Sequence, residues 1–252
     1  MFYAGCANPN IMVPYPASSI IVFNENDVWI SMYGDQVARL DGMTQVETHC
    51  MPVSFSINKI WGTSSSDLYV VGTGGTIIRY NGTLWWRMGS VTEVDIQDIW
   101  GITNISNEVE FILCAVSYAV EPGEHKILRI NNANRIDTLS WFSKRRVNSV
   151  WMDSRFQLFA CGDGMFINSS NIWEKQEEVT AVYKERVRGN SKNDLFVVGD
   201  FGLLAHYNGL NWRQYPEAAS ALVYASLDFK DNLMVTVGYT QTKAVIQFMI
   251  RN

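Results

Sequence analysis

The sequence predicts an all-β fold, a six-bladed β-propeller built from four-stranded antiparallel blades. Three observations support this prediction. The chain repeats a pattern at intervals of about 40 residues, the usual length of one propeller blade. Its apolar residues form short runs of strand length, and no segment shows the sustained 3.6-residue apolar period of a helix. The 252 residues are 47% hydrophobic and include nine Trp, eleven Tyr and twelve Phe, which is enough for a large core. We therefore expect a single propeller domain over residues 1–252.

Two stretches of the chain align with each other without a gap, and they define the repeat. The first runs from Ile60 to Trp85 and the second from Val187 to Trp212. They share Asp-Leu-aromatic-Val-Val-Gly, a second Gly three residues later, and then Tyr-Asn-Gly-x-x-Trp. Four weaker copies surround these two, and we call the position of Trp61 in each copy the anchor. The six anchors fall near residues 21, 61, 100, 151, 188 and 227.

The first of these copies shows the expected order of strands A to D within a blade. Strand A ends at the anchor, and strand B, Leu68 to Val71, is apolar at consecutive positions, as a strand buried on both faces is. Glycines at 72 and 75 favour a tight turn into strand C, Thr76 to Tyr80. Asn81-Gly82 indicates a two-residue hairpin of type I′, which leads to strand D and its Trp.

The two ends of the chain predict how the propeller closes. The last copy contains strands A to C, the third at 244–249, and lacks a strand D. Residues 10–16 precede the first strand A and have no partner in their own copy. Since an unpaired sheet edge invites aggregation and ring closure removes it, we expect residues 10–16 to complete the last blade.

The repeat resembles a known group of sequences. Residues 60–72, Ile-Trp-Gly-Thr-Ser-Ser-Ser-Asp-Leu-Tyr-Val-Val-Gly, with the Tyr-Asn-Gly and Trp that follow, are similar to a broad group of bacterial β-propeller repeats of surface and secreted proteins. The Asn-Gly-x-x-Trp tail also resembles the Asp-box turn of sialidase-type propellers, although the Ser-x-Asp start is missing at residues 77–79. The resemblance implies a propeller fold and a tendency toward binding, and it does not fix an activity.

Charge and hydropathy exclude two classes of partner. The chain has 20 basic and 25 acidic residues and a net charge of −5, without the concentrated basic face that duplex nucleic acid requires. No apolar run reaches the roughly 20 residues of a membrane-spanning helix. We therefore expect neither nucleic-acid binding nor a membrane span.

Cysteine and histidine usage predicts no metal site and no cofactor. The four cysteines include no C-x-x-C pair, and the three histidines stand far apart. Ala4-Gly5-Cys6 is similar to the end of a bacterial lipoprotein signal, but the five residues before Cys6 are too few for the apolar region of such a signal. Either a signal has been removed before Cys6 or, as we favour, Cys6 is an ordinary residue.

Polar residues interrupt each strand A two and three positions before the anchor. Because strand A lines the axis of a propeller, these pairs are expected to converge on a polar ring that could bind a ligand. An alternative, which we favour, is a water-filled channel, since water demands the same residue types. The candidate ring residues are Asn58, Lys59, Gln97, Asp98, Glu185 and Arg186.

The third copy is longer than the others, and most of the excess lies in residues 117–126, between strands B and C. Insertions in repeat proteins usually map to one face, often the binding face. Residues 144–146, Lys-Arg-Arg, are expected to flank this loop. The alternative is a tolerated surface insertion beside a solvated charge cluster. The candidate binding residues of this face are Tyr118, Glu121, Glu124, His125, Arg145 and Arg146.

The tryptophans of the repeat are interpreted as structural. A large ring in the same slot of every unit fills the space between neighbouring blades most simply, so we expect the anchor tryptophans to pack between blades rather than to form a ligand platform. The same interpretation applies to the tryptophan of each strand D. The residues concerned are Trp61, Trp100, Trp151, Trp85, Trp173 and Trp212.

The sequence favours a non-enzymatic binding module whose loops, above all 117–126, contact a protein or glycan partner. Deletion of that loop is expected to leave folding intact and to weaken partner binding. One alternative is a structural component of a larger assembly, such as a phage virion or tail or a cell-surface adhesin. A sialidase-like glycan-cleaving enzyme is least favoured, because no acid/base, nucleophile or metal constellation stands out. An extracellular, cell-surface or virion location is favoured over the cytoplasm.

Overall fold

The computed structural model describes residues 17–32, 34–42, 44–104, 109–117, 123–131, 135–142, 144–215 and 221–250. The chain is a six-bladed, all-β propeller, as predicted, and each blade is an antiparallel sheet. The strands are β1 Ala17–Asn24, β2 Asp27–Met32, β3 Gln36–Asp41, β4 Thr44–Cys50, β5 Ile57–Ser64, β6 Asp67–Gly72, β7 Ile77–Tyr80, β8 Trp85–Arg87, β9 Ile96–Thr103, β10 Val109–Ser117, β11 His125–Asn131, β12 Ile136–Leu139, β13 Val147–Met152, β14 Leu158–Gly162, β15 Met165–Ser169, β16 Ile172–Lys175, β17 Lys184–Ser191, β18 Asp194–Gly199, β19 Leu204–Tyr207, β20 Trp212–Gln214, β21 Val223–Lys230, β22 Leu233–Tyr239 and β23 Ala244–Ile250. Short 3₁₀ turns follow β6 and β18, at Thr73–Gly75 and Asp200–Gly202.

The strands of each blade lie side by side in chain order. Five sheets have four strands, β1 to β4, β5 to β8, β9 to β12, β13 to β16 and β17 to β20. The sixth sheet contains β21 to β23. The predicted fourth strand of this blade, residues 10–16, lies outside the described residues, so closure by the N-terminal segment stays a prediction.

The chain divides into two compact units, and the division passes through the third blade. One unit comprises residues 1–112 with 130–136, and the other comprises residues 113–129 with 137–252. In the first, Trp29, Ile60 and Val70 belong to one buried core cluster. In the second, Phe196 and Tyr224 belong to another. The assignment of the whole chain to a single domain stays a prediction.

A β-bulge recurs at one point of strand A in at least four blades. In the second blade Ile57 pairs with Gly72 and Lys59 pairs with Val71, which leaves Asn58 unpaired. In the fifth blade the pairs are Lys184 with Gly199 and Arg186 with Val198. The unpaired residues of the first, second, fourth and fifth blades are Ser18, Asn58, Asn148 and Glu185. A bulge turns the extra side chain out of the regular alternation, so this position differs chemically from the rest of the strand.

The register of the last blade moves its anchor by one residue. Tyr224 pairs with Gly238 and Ser226 pairs with Val237, so Ala225 takes the bulge position. The anchor lies three residues beyond the bulge in the second and fifth blades, which places it at Asp228 here rather than at the predicted 227.

The aspartate of the repeated motif holds strand B to strand C. Asp67 accepts a hydrogen bond of 3.1 Å from Nε of Arg79, twelve residues later. In the first blade Asp27 accepts a hydrogen bond of 3.0 Å from Arg39 at the same spacing. In the fifth blade Asp194 pairs with His206 at 2.9 Å. The motif therefore conserves a carboxylate across the three copies because it fixes the register of the central strands.

The hairpin between strands C and D is not the predicted two-residue type I′ turn. A type I′ turn requires positive φ at both central residues, whereas Gly82 has a φ of 90° and Asn81 is absent from the positive-φ residues of the described chain. The loop instead spans residues 81–84, and Oδ1 of Asn81 accepts hydrogen bonds from the N–H groups of Thr83 and Leu84. The asparagine thus acts as an Asx cap, which the sequence signal did not distinguish from a tight hairpin.

Tryptophan at the anchor packs between strands of neighbouring blades. Trp61, in β5, lies against Gly101 in β9 so closely that a Cβ at Gly101 would stand 2.7 Å from Cζ3 of the indole. Of the cysteines, Cys114 and Cys161 are buried thiols outside any disulfide, and Cys50 is disulfide-bonded.

Candidate functional site

The predicted ring residues of the first unit lie near the beginning of strand A of two neighbouring blades. Asn58 sits at the bulge of β5, and its Nδ2 donates a 2.9 Å hydrogen bond to the carbonyl of Ile96, at the beginning of β9. Asp98 is fully buried in β9, while Lys59 and Gln97 are half-buried. Asn58 therefore joins two blades through a backbone contact.

The second unit repeats this contact with a charged partner. Asn148, at the bulge of β13, donates hydrogen bonds from Nδ2 to the carbonyl of Glu185 at 2.9 Å and to its carboxylate at 2.7 Å. One residue later, Oγ of Ser149 accepts a hydrogen bond of 3.3 Å from the N–H of Val187. Arg186 follows Glu185 in β17 and is half-buried. The structure thus brings Asn148 and Glu185 into contact and gives both a role in joining adjacent blades.

The carboxyl group of Glu185 is shifted toward its neutral form. Burial raises its pKa above the ordinary glutamate value, and the negative charge of Asp200 adds to this rise. The positive charge of Arg186 and the hydrogen bond from Asn148 act in the opposite direction and do not cancel it. The folded protein therefore binds a proton at this group more readily than the unfolded chain does.

This raised pKa predicts how stability changes with pH in a Glu185→Gln variant. Because the native state holds the proton more tightly, the stabilising contribution of Glu185 is present below the ordinary glutamate pKa and is lost as pH rises through the folded pKa. The difference in the free energy of unfolding between Glu185→Gln and wild type should therefore move in favour of the variant as the pH rises from about 4 to about 7. This change should exceed the roughly 0.5 kcal/mol of a neutral surface substitution. Urea unfolding at both pH values measures this difference. Glu174→Gln, at an exposed position of β16, is the control, and equal pH dependence in both variants would contradict the prediction.

The structure changes the bounds of the predicted binding loop. Ser117 ends β10 and His125 begins β11, and the two side chains share a 3.0 Å hydrogen bond. His125 is only 5% exposed, so its side chain belongs to the blade interior rather than to a loop surface. Glu124 is exposed and forms an ion pair with Lys126. Tyr118 and Glu121 lie outside the described residues. A deletion that spares the buried pair must therefore be confined to residues 118–124.

The two predicted arginines of this face have different environments. Arg146 donates from Nε to Asp163 at 3.1 Å and lies 4.6 Å from the ring centroid of Tyr183, so its guanidinium is engaged within the blade. Arg145 is exposed, and its guanidinium carbon stands 5.9 Å from the ring of Phe166. Both side chains are accessible, and Arg146, 41% exposed, differs from Arg145 in that it is ion-paired with Asp163.

An aromatic cluster supports Arg145, and the sequence analysis did not identify it. Trp141 donates from Nε1 to the carbonyl of Arg145 at 2.8 Å and packs edge-to-face on Trp173 at 5.0 Å. Phe142, the next residue, is 41% exposed. We call the exposed Phe142 and Arg145, together with the Trp141 that supports them, the Trp141 patch. Two adjacent aromatic residues in a short link between blades were the available signal in the sequence.

Comparison with known proteins identifies the fold and no family. No family model matches the chain, and no curated protein matches it. Among solved structures, YCF48 bound to D1 peptide is similar over 94% of this chain and 78% of its own, with 12% identity and a TM-score of 0.69. YCF48 from Cyanidioschyzon merolae is similar over 90% and 81%, with 12% identity and a TM-score of 0.65.

A third similar structure is the extracellular domain of BT3049 from B. thetaiotaomicron, with 13% identity and a TM-score of 0.66. The match covers 94% of this chain and 34% of that one. At these identities the likenesses establish the propeller fold alone.

The residues that the structure describes form neither a metal-binding cluster nor a membrane-spanning helix. Across the parts of the chain that the structure describes, no group of three or more His, Cys, Asp or Glu side chains is arranged to hold a metal ion. Within those same ranges no helix has the length and apolar character needed to cross a bilayer.

Proposed function

We propose that the chain is a non-enzymatic binding module that holds a protein partner on the loops between its blades. The observation that carries this proposal is the Trp141 patch. Phe142 and Arg145 are exposed side chains on a link that Trp141 anchors by a hydrogen bond and by edge-to-face packing. Aromatic and arginine side chains are the residue types that dominate the energetics of protein interfaces.

Rigidity of the link favours binding. A loop whose backbone is held before the partner arrives loses less conformational entropy on association than a free loop does. Trp141 holds the link at both ends of the patch, since its indole bonds to the carbonyl of Arg145 and its ring packs on Trp173. The exposed side chains of Phe142 and Arg145 thus stand beside a tryptophan that is itself held in place.

The comparisons support a protein as the type of partner. YCF48, which shares the fold, has been solved with D1 peptide bound. The BT3049 domain, which also shares the fold, is extracellular, and this supports an extracellular location for the present chain. A glycan partner, a place in a virion or adhesin assembly, and glycan cleavage stay predictions from the sequence.

The proposal predicts that Phe142→Ser and Arg145→Glu each weaken partner binding at least tenfold, about 1.4 kcal/mol. Cross-linking in the native cells followed by mass spectrometry identifies the partner, and titration of the purified pair measures Kd. Both substitutions change exposed side chains, so the melting temperature should stay that of wild type.

Leu210→Ser is the matched control, because Leu210 is 81% exposed on a hairpin of the fifth blade and lies outside the patch. A second variant lacks residues 118–124 and keeps the buried pair of Ser117 and His125; it should fold and bind more weakly. If the patch variants and the loop deletion all bind with wild-type affinity, the proposed surface is wrong.

A further inference from the structure

A cavity of about 400 Å³ lies in the first unit, where the chain passes from the first blade to the second. A volume of this size is within the range of pockets that bind small ligands or single side chains. One wall of the cavity is the link after β4, and another is the hairpin that leads into β8. Asp35, in the turn between β2 and β3, completes the lining. The lining residues are Asp35, Cys50, Met51, Pro52, Val53, Ser54, Thr83, Leu84 and Trp85.

The same slot exists in two other blades, where the chain fills or covers it. Trp85, Trp173 and Trp212 hold one position, because each lies opposite the strand C residue that pairs with the leucine of strand B. In the fourth blade the preceding link places Trp141 against Trp173, and the indole of Trp173 donates to the carbonyl of Ser140 at 2.6 Å.

In the fifth blade the preceding link supplies Glu178, whose carboxylate accepts a 3.2 Å hydrogen bond from the backbone N–H of Trp212. In the second blade the corresponding link lines the cavity with Met51, Pro52, Val53 and Ser54, and Met51 and Val53 belong to the same core cluster as Trp85. Tyr80 stacks on Trp85 at 4.5 Å, and the indole also lines the cavity. The second blade therefore has a cavity beside Trp85, whereas the fourth blade packs the aromatic ring of Trp141 against the equivalent Trp173.

Among the described residues that line this cavity, none carries a charge opposite to that of Asp35. Asp35 contributes a half-buried carboxylate that makes no hydrogen bond or ion pair with any residue that the structure describes. The remaining lining residues that the structure describes include no Lys, Arg or His. Water solvates a carboxylate poorly where apolar walls surround it, so a ligand that brings a positive charge gains more here than on the open surface.

The protein itself repeatedly places a guanidinium between a carboxylate and an aromatic ring. Arg39 bonds to Asp27 and stands 5.9 Å from the ring of Trp29. Arg79 bonds to Asp67 and stands 5.1 Å from the ring of Tyr69. Arg146 does the same between Asp163 and Tyr183. The cavity offers the carboxylate of Asp35 and the ring of Trp85 and lacks the guanidinium.

We propose that this cavity binds the guanidinium group of an arginine side chain that a partner protein presents. The planar cation lies against the indole of Trp85 and donates paired hydrogen bonds to the carboxylate of Asp35, while its aliphatic stem packs on Val53 and Leu84. The inference rests on the proposed function in one respect, that a protein supplies the arginine. The cavity is distinct from the Trp141 patch, and its test uses no partner.

The test titrates ¹⁵N-labelled protein with Nα-acetyl-L-arginine methylamide and follows the indole N–H resonance of Trp85, which Trp85→Phe identifies. We expect saturable shifts with a Kd on the order of 1 mM. The matched probe is the citrulline analogue, which has the same shape and no charge, and it should bind at least fivefold more weakly. Asp35→Asn should remove the difference between the probes.

Asp41→Asn is the control variant, since Asp41 is an exposed carboxylate of the same blade outside the cavity. It should leave both titrations unchanged. The carboxylate of Asp35 makes no hydrogen bond or ion pair with a residue that the structure describes, so Asp35→Asn should keep the melting temperature of wild type. Equal binding of the two probes, undiminished arginine binding by Asp35→Asn, or no indole shift would each overturn the proposal, whatever the result for the Trp141 patch.

Discussion

Replacing Gly199 with alanine should lower the free energy of unfolding by about 3 kcal/mol, at the upper end of the range for overpacking. Gly199 ends β18 opposite the beginning of β17, in extended backbone that any residue can adopt. Space is the limit. A Cβ at this position would overlap the carbonyl oxygen of Tyr183 and stand 2.9 Å from Cα of Lys184. Both are backbone atoms, so no side-chain rotation relieves the overlap. The equivalent glycines of three other blades meet in the same way a carbonyl at or just before the first residue of strand A; they are Gly72, Gly162 and Gly238.

Thermal and urea unfolding measure this effect. For a chain of this length, a loss of about 3 kcal/mol corresponds to a fall of roughly 6–12 °C in melting temperature. Gly89→Ala is the control, because an added Cβ there meets no atom within 4 Å and the residue is exposed. It should stay within about 0.5 kcal/mol of wild type. A Gly199→Ala variant as stable as Gly89→Ala would show that strand A shifts freely away from strand B.

These glycines show why the fold was predictable from the sequence. Six copies of one pattern specify six similar sheets. The Val-Val-Gly of the clearest copies meets two physical requirements of the fold. The valines are buried on both faces of β6 and β18, and the glycine admits the backbone of strand A. The aspartate of the motif records a third requirement, the hydrogen bond to strand C. The type of the C–D turn was not predictable, because Asn-Gly suits an Asx-capped loop as well as a type I′ hairpin.

The sequence predicted where the candidate ring residues lie in strand A, but not which atoms their side chains contact. Two consecutive polar residues break the alternation of strand A, and this break is the sequence trace of the bulge. The sequence does not show where a bulged side chain turns. In the structure Asn58 reaches the carbonyl of Ile96 and Asn148 reaches Glu185, so both take part in contacts between blades.

The cavity beside Trp85 left no trace in the pattern. It depends on the side chains of the neighbouring link, which packs the aromatic Trp141 on Trp173 in the fourth blade and places the non-aromatic Met51, Pro52 and Val53 beside Trp85 in the second. An isolated carboxylate such as Asp35 can be recognised only when all its neighbours are known. The sequence therefore predicts features that each copy repeats, and it misses sites that arise where one copy differs from the others.

Replacing Arg188 with methionine should lower the free energy of unfolding by about 3 kcal/mol. Arg188 occupies the anchor position that Trp61 and Trp151 hold in other blades, and it is 3% exposed. Its Nη1 lies within hydrogen-bond distance of three acceptors, Oγ of Ser149 at 3.1 Å and the carbonyls of Val150 and Val187 at 3.1 and 2.8 Å. Methionine fills much of the same volume without a donor, so these buried oxygens lose hydrogen bonds from a charged group, each worth roughly 1.5–3 kcal/mol.

An opposing effect is the desolvation of a buried cation, which methionine removes. The hydrogen bonds to the three acceptors outweigh this desolvation cost if they replace those that the guanidinium would make to water. Arg188→Lys tests this. Lysine keeps the charge and loses the planar fork, so its loss should be intermediate, about 1–2 kcal/mol. Arg213→Met, at an exposed arginine 4.9 Å from the ring of Tyr215, is the control and should change stability by less than about 0.5 kcal/mol. Urea midpoints at constant slope rank the four proteins, and an Arg188→Met variant more stable than wild type would show that desolvation dominates at this anchor.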